Sequence, residues 1–407
     1  MSARDDAATP FPYAGFLVLA AVIVLAVTTE TMPTGLLPDM AASLGVSRPS
    51  IGLLVTVYAL TVAAVSIPLI RLTRTWPRHV LLAVAVVELG VSVIVSAVSP
   101  NYGFLAATRV LGGLGHAVFW ATIGAYPGHA VAREHLGRAV GITLGGSTVG
   151  FVFGLPLATS IGHAIGWRPT FAAVGAALLV AALPVWRLMP PVRGSSAAPV
   201  EHRRRDPSVV PVLIICLLAL IAMTGHYAFY TYIAAYARDA LAVPAASVGL
   251  LLLANGVAGA VGLLIATTVF ARRPVTGMVV SLAASAVGVA LFALAPGTPW
   301  VALPAMFGWS LAFGLIQPVM QTHLLAEASS GFRDAGNAIY TATFSVGIGG
   351  GALVGAVWYD RIGLGSLPWV DVVGLIASVA IIAAARGWMR TARPTHARRP
   401  DLAEHPS

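Results

Sequence analysis

Twelve times along this chain, a stretch long enough to cross a bilayer as a helix runs almost free of charge. About 20 apolar residues span the hydrocarbon layer. The stretches lie at about 13–37, 50–70, 79–98, 102–126, 138–161, 168–189, 209–235, 246–269, 275–296, 299–323, 334–358 and 366–387. In lipid, every backbone N–H and C=O must be satisfied within the chain, so these segments have to be helices. Strands of a membrane barrel would be shorter and alternate in polarity. Only 10% of the 407 residues are charged and 58% are hydrophobic, with a mean hydropathy of +0.86. A soluble domain carries about 25% charged residues. The fold class expected is therefore an all-α membrane protein with twelve transmembrane helices. The opening "MSARDDAATPFPY" is polar and runs straight into the first span, without the layout of a cleaved signal. Cys216 is the single cysteine, which excludes an internal disulfide, and its apolar setting predicts a core residue.

Between the sixth and seventh spans lies "MPPVRGSSAAPVEHRRRDPS", rich in Pro, Ser and Arg. It reads as a linker. The organisation expected is a six-helix bundle over 1–189, a cytoplasmic linker over 190–208, a second six-helix bundle over 209–390 and a basic tail over 391–407. All 24 basic residues are arginine. If both termini face the cytoplasm, 19 arginines fall on that side and four on the other: Arg48, Arg168, Arg238 and Arg361. Arg109 falls inside a span. This imbalance follows the positive-inside rule and accounts for the net charge of +9 without any nucleic-acid partner.

Two six-span halves joined by a linker match the plan of a transporter that rocks one half against the other. Small residues suit such motion, because they let helices approach closely. In "GITLGGSTVGFVFG", Gly146, Gly150 and Gly154 form one smooth face of the fifth span, and "SVGIGGGALVG" repeats the device in the eleventh. These two spans, with Pro156 following in the fifth, are expected to be gating helices.

Several stretches resemble one family. "TTETMPTGLLPDMA", "RVLGGLGHA", "GLPLATSIGHAIGWRPTF", "GHYAFYTYIA", "VGLLLLANGVAG" and "NAIYTATFSVGIGGGALVG" resemble the drug:proton antiporter branch of the major facilitator superfamily. Within it, they are most similar to the bacterial sugar-efflux and chloramphenicol-exporter-like group. The resemblance covers nearly the whole chain. It implies two pseudo-symmetric six-helix bundles, a central cavity and export driven by inward proton flow. It places Arg109, Gly113 and Gly115 on the fourth-helix motif, and Gly150, Gly154 and Pro156 on the antiporter motif. The loop after the second span departs from the pattern: "PLIRLTRTWPRHV" is basic but lacks the usual aspartate, and "FARRPV" after the eighth span lacks it too.

The residues point the same way on their own. Glu30 closes a long apolar run, and a charge at mid-bilayer costs roughly 2.5–3.5 kcal/mol on insertion scales, so it is expected to face a cavity and a partner. By helix rise, Glu30 lies about 25 Å along the first span, Arg109 about 10 Å into the fourth from the other face, and His226 about 25 Å along the seventh. All three reach the same third of the membrane. Histidine titrates near neutral pH, and gain or loss of one charge in a low-dielectric cavity biases a two-state equilibrium. Glu30, Arg109 and His226 are therefore the proton-coupling candidates, with Glu30 as the acid and Arg109 as the charge competing with the proton. Static roles remain open for each: an ion pair joining the first and fourth spans, a hydrogen-bond hub to carbonyls for Arg109, and a helix-to-helix bond for His226. Glu88 in the third span is a second, lower-ranked acid.

Helical spacing puts Arg109, Gly113, His116 and Trp120 on one face, and Met223, His226 and Tyr230 on another. With Asn255, Gln317 and Gln321, the residues His116, Trp120, Met223 and Tyr230 are the candidate lining of a substrate cavity. No motif of a metal site, nucleotide loop or enzyme nucleophile is present, so no cofactor is expected. The partners expected are a small-molecule substrate, protons and the lipid bilayer, with the chain a monomer in a bacterial cytoplasmic membrane. Two other readings stay open: a facilitator or importer of the same fold without proton coupling, and a ligand sensor that does not transport.

Overall fold

In the computed structural model, residues 11–192, 206–270, 272–295, 298–329 and 332–391 are described. Twelve of their helices are long and apolar enough to cross a membrane. In the first half they are α1 (Tyr13–Gly35), α3 (Arg48–Leu72), α4 (Arg78–Ala97), α5 (Tyr102–Ala130), a fifth span made of α6 (Leu136–Val149) and α7 (Leu155–Ile165), and α8 (Trp167–Leu188). In the second half they are α9 (Val209–Tyr230), α11 (Ala245–Thr268), α12 (Pro274–Leu294), α13 (Pro299–Glu327), α14 (Arg333–Ile362) and α15 (Leu367–Thr391). Residues 193–205 of the expected linker and 392–407 of the expected tail, with Arg193, Arg203 to Arg205, Arg393, Arg398 and Arg399, lie outside the described residues.

Two short helices go beyond the spans expected from the sequence. α2 (Leu37–Leu44) follows α1, and α10 (Ile233–Asp239) follows α9. Pro38 opens α2, and Gly45 ends it in the left-handed region at φ 64°. The matching turns Gly166, before α8, and Gly363, before α15, both have positive φ, of 95° and 110°. The halves thus repeat each other in their turns as well as in their spans.

The fifth span is not one regular helix. Residues Gly150–Gly154 form a π-helical turn between α6 and α7. Pro156 lies just beyond it and has no N–H for the carbonyl four residues back. A widened turn relieves the clash of its ring with that carbonyl. The glycine face of this span packs inside its own half: Gly146 against Ala20, Gly150 against Val24 and Val27, and Gly154 against Thr28, all on α1. In the second half, Gly347, Gly351 and Gly355 of α14 seat α9 in the same way, at Met223, Tyr227 and Ala228. Gly146, Gly150 and Gly154 therefore bring two helices of one bundle into contact.

The halves meet through the opposite faces of these spans. Pro156 presents its carbonyl to Gly249 of α11, and Val152 lies against Gly256. Thr56 of α3 donates to the Gly349 carbonyl of α14 at 2.9 Å. Leu60 rests on Gly349, and the Tyr232 ring covers Gly52. These contacts lie toward the end away from the termini. From Leu60 to Leu72, toward the termini, no residue of α3 is buried. The bundles are closed against each other at the far end and separate toward the termini.

Candidate functional site

The stretch "TTETMP" builds one side of the site. Pro33 lies inside α1 and cannot donate to the carbonyl of Thr29 four residues earlier. Arg109 of α5 supplies the missing donor: Nη1 bonds the Thr29 carbonyl at 3.0 Å and Nη2 the Glu30 carbonyl at 3.2 Å. Its guanidinium also lies 4.0 Å over the Tyr58 ring of α3. Three helices are pinned at the turn that carries the acid.

The Glu30 carboxylate turns elsewhere. Its Oε2 is 3.4 Å from Nε2 of His116, and the Glu30 side chain is 22% exposed against 4% for His116. His116 stands edge-on to Tyr58 and 5.9 Å from Trp120. Arg109 is thus placed on the main chain rather than on the carboxylate, and His116, expected as a cavity residue, is the acid's nearest partner. Depth alone could not distinguish these, because rotation about α1 decides which group the carboxylate meets.

His226 of α9 is surrounded by residues of its own half. It stacks on Phe313 at 3.3 Å and on Tyr230 at 5.1 Å, with Trp309 at 4.9 Å. Its Nδ1 is 3.8 Å from Asp371 of α15. Asp371 escaped the sequence reading, although it is the single acid between 367 and 384, within an otherwise apolar helix. A short, late span with one aspartate was the available signal.

The other expected lining residues divide. Trp120 and Tyr230 are partly exposed and adjoin the two histidines. Met223 is fully buried against Gly347, in the seam between α9 and α14, and is not a cavity residue. Asn255 is buried, with its Oδ1 unpartnered among the described residues. Gln317 is exposed, and Gln321 donates to Asn337 at 3.3 Å, nearer the termini end of α13. Glu88 rests against Gly115 of α5 rather than joining either pair.

At the far end, the short helices carry a charged latch that sequence reasoning missed. Asp39 of α2 accepts from Arg238 of α10 at 3.0 Å, and His163 stands 3.0 Å from its other oxygen. Arg48 of α3 pairs with Asp239 of α10 and reaches Tyr359 at 3.5 Å. The His163 imidazole, with Arg238 adding to it, holds the Asp39 carboxyl below its ordinary range. Each half contributes one acid and one arginine to the crossing. Equivalent placement of charges after the first and seventh spans was the legible signal.

The family description "Major Facilitator Superfamily" matches residues 19–329. The chain belongs to the major facilitator superfamily. It is a multi-pass membrane transporter, and its resemblance to the sugar-efflux and chloramphenicol-exporter-like group holds. The chloramphenicol efflux pump of Mycobacterium tuberculosis (strain CDC 1551 / Oshkosh) is 33% identical over 353 residues, covering 84% of this chain and 85% of the pump. The "Probable sugar efflux transporter" of Helicobacter pylori (strain G27) is 28% identical over 358 residues, covering 86% and 90%. Among solved structures, a bacterial homologue of the human lysosomal transporter Spinster, in an inward-facing and unoccupied conformation, superposes with a TM-score of 0.69 at 16% identity. That match covers 94% of this chain and 97% of the homologue, and at such identity it speaks for the fold alone. These superfamily relatives are transporters, not enzymes.

Proposed function

We propose that this superfamily member is a proton-coupled exporter, exchanging an outgoing small molecule for an incoming proton by alternating access. The observation that carries the reading is the Glu30–His116 pair at 3.4 Å, in which the Glu30 side chain is 22% exposed. Protonating such a pair adds one positive charge to a low-dielectric cleft, which is enough to shift a balance between two packings of the halves. Arg109 contributes by fixing the turn of α1 on which the acid sits, so the carboxylate keeps one partner instead of sampling several. The arginine imbalance supports termini on the cytoplasmic side of a bacterial inner membrane. With that orientation, the closed far end is the outer face and the open end faces the cytoplasm, the posture in which an exporter loads. The substrate class is a drug-like amphiphile or a sugar, in keeping with the chloramphenicol and the sugar named for relatives.

The test uses chloramphenicol as the probe. Purified protein in detergent should release protons on adding it, and Glu30→Gln should release none. In proteoliposomes, an imposed pH gradient should drive accumulation by the wild type, while the variant should only equilibrate. Equal proton release from both proteins would make Glu30 a structural anchor. Flux indifferent to the gradient would indicate a facilitator, and binding without flux a sensor.

A further inference from the structure

Among the described residues, Asp371 is the one group in the membrane-spanning part of the second half that is both acidic and wholly buried. Its side chain is 0% exposed. The Trp309 indole N–H donates to Oδ2 at 2.9 Å. Oδ1 has no hydrogen-bond partner among the described residues, and neither has Nδ1 of His226, 3.8 Å from Oδ2. The backbones of α9 and α15 can come this close because position 225 is glycine: a Cβ there would stand 3.3 Å from the Asp371 Cα.

Among the described residues, the surroundings offer no other counter-charge. From α9, the titratable groups at hand are His226 itself, Tyr227 and Tyr230. α13 contributes Trp309 and Phe313, neither of which titrates in the accessible range. The buried residues of α12, which packs along α15, include no ionisable group. Among the described residues, the only ion-pair contact of Asp371 is with His226.

A bare carboxylate in such a place is costly, and one neutral indole bond does not offset it. Two arrangements leave the pair without net charge: a carboxylic acid beside a neutral imidazole, or a carboxylate beside an imidazolium. Both contain one proton. We propose that Asp371 and His226 together form a second proton-binding site, in the half opposite to Glu30, that holds one proton at neutral pH. Binding forms one O–H or N–H bond, and release returns that proton to water along the partly exposed Tyr230 side, leaving one negative charge on Asp371. The site holds its proton whether or not transport is coupled to it, so the inference does not depend on the exchange proposed above.

The test is spectroscopic. On purified protein in detergent near neutral pH, infrared difference spectra report a protonated carboxyl, and nitrogen-15 NMR of labelled histidine reports an imidazolium. One of the two signals should be present in wild type and in Glu30→Gln, and should vanish in Asp371→Asn. Trp309→Phe keeps both ionisable groups but removes the indole donor, so it should shift the pH at which the signal disappears. This variant serves if Asp371→Asn does not fold. An ionised carboxylate beside a neutral His226 in wild type would overturn the proposal, as would a signal unchanged in Asp371→Asn or, for Trp309→Phe, one with an unmoved midpoint. Loss of the signal in Glu30→Gln would overturn it too, because the proton would then belong to the first pair. The chloramphenicol assay on Glu30→Gln can fail without affecting any of these outcomes.

Discussion

The two acid–histidine pairs are drawn from opposite halves and differ in what holds the acid. Glu30 is partly exposed, and the turn beneath it is clamped through its carbonyls by an arginine that leaves the carboxylate alone. Asp371 is sealed, held by an indole, with stacked aromatic rings around its histidine. In the first half the positive charge serves the backbone; in the second no arginine takes part. The difference teaches that an intramembrane arginine need not neutralise the nearest acid. A proline four residues along a helix opens a carbonyl that competes for the guanidinium, and a neutral donor there would be weaker.

The largest effect is expected at that clamp. Arg109→Ala leaves the Thr29 carbonyl without a donor, and a buried orphan costs about 1–3 kcal/mol. Its melting temperature should fall further than that of Trp309→Phe, because Arg109 gives up two carbonyl bonds and its contact with the Tyr58 ring, whereas Trp309 gives up one hydrogen bond. Adding Pro33→Ala restores an N–H at the right place, so the double variant should regain part of the loss. Equal melts for the two single variants would erase the contrast between the halves.

A second comparison sets the seat of α9 against the seat of α1. A methyl at Gly351 would meet the Thr224 carbonyl at 2.6 Å and Tyr227 Cβ at 2.8 Å, whereas at Gly150 the nearest atom is Val27 Cβ at 3.0 Å. Gly351→Ala should therefore destabilise by about 1–3 kcal/mol, and Gly150→Ala by less. Thermal melts in detergent rank them, and the reverse order would mean that α1 is the more rigidly seated helix. Leucine at Gly150 should cost folded protein as well as flux, since the face it fills lies inside one bundle.

Smaller effects are expected at the latch. Its four side chains are 31–41% exposed, and such pairs contribute about 0.2–1 kcal/mol each. Thr56→Cys, buried under the closed far end, should react slowly with an impermeant thiol reagent. Adding Arg238→Ala should speed labelling about 1.4- to 5-fold, the range those energies convert to. An unchanged rate would mean that the helix contacts, not the charges, keep the end shut.

The smallest effect is that of pH on the same latch. The Asp39 carboxyl is held below its ordinary value of 3.8 in the closed form. Its contribution is complete above that value and is lost as pH falls through the lowered one. Labelling of Thr56→Cys should quicken only in that acidic window, and Asp39→Asn should abolish the change. Quickening near pH 6 would assign it to a histidine instead.

Much of the fold was legible, since twelve apolar stretches and two repeated glycine faces are properties of composition and spacing. What escaped depended on rotation and on short-range geometry. The span end at 235 ran past the break before α10, because the apolar "YTYIAAYA" looks like a continuation, and α2 lay unread in the loop after 37. Glu30 and Arg109 were rightly placed at one depth, but helical rise says nothing about which way a side chain points. Pro33 was the clue to the clamp, readable as a carbonyl deprived of its donor. Met223 shared a face with His226, yet that face looks into a helix seam, and only packing could say so.

The widened turn at 150–154 has its own consequence. A long helix bends most easily where its hydrogen-bond ladder is already interrupted. Here the interruption falls between α7, which is engaged with the opposite bundle, and α6, which is not. In the alternating-access cycle proposed above, bending at this joint would let α6, with the part of α1 it seats, move at the open mouth while α7 keeps its contacts. Closing one face would then be separable in time from releasing the other. Such a cycle would pass through an occluded shape, shut on both sides with its cargo inside, rather than tip directly between two open ones.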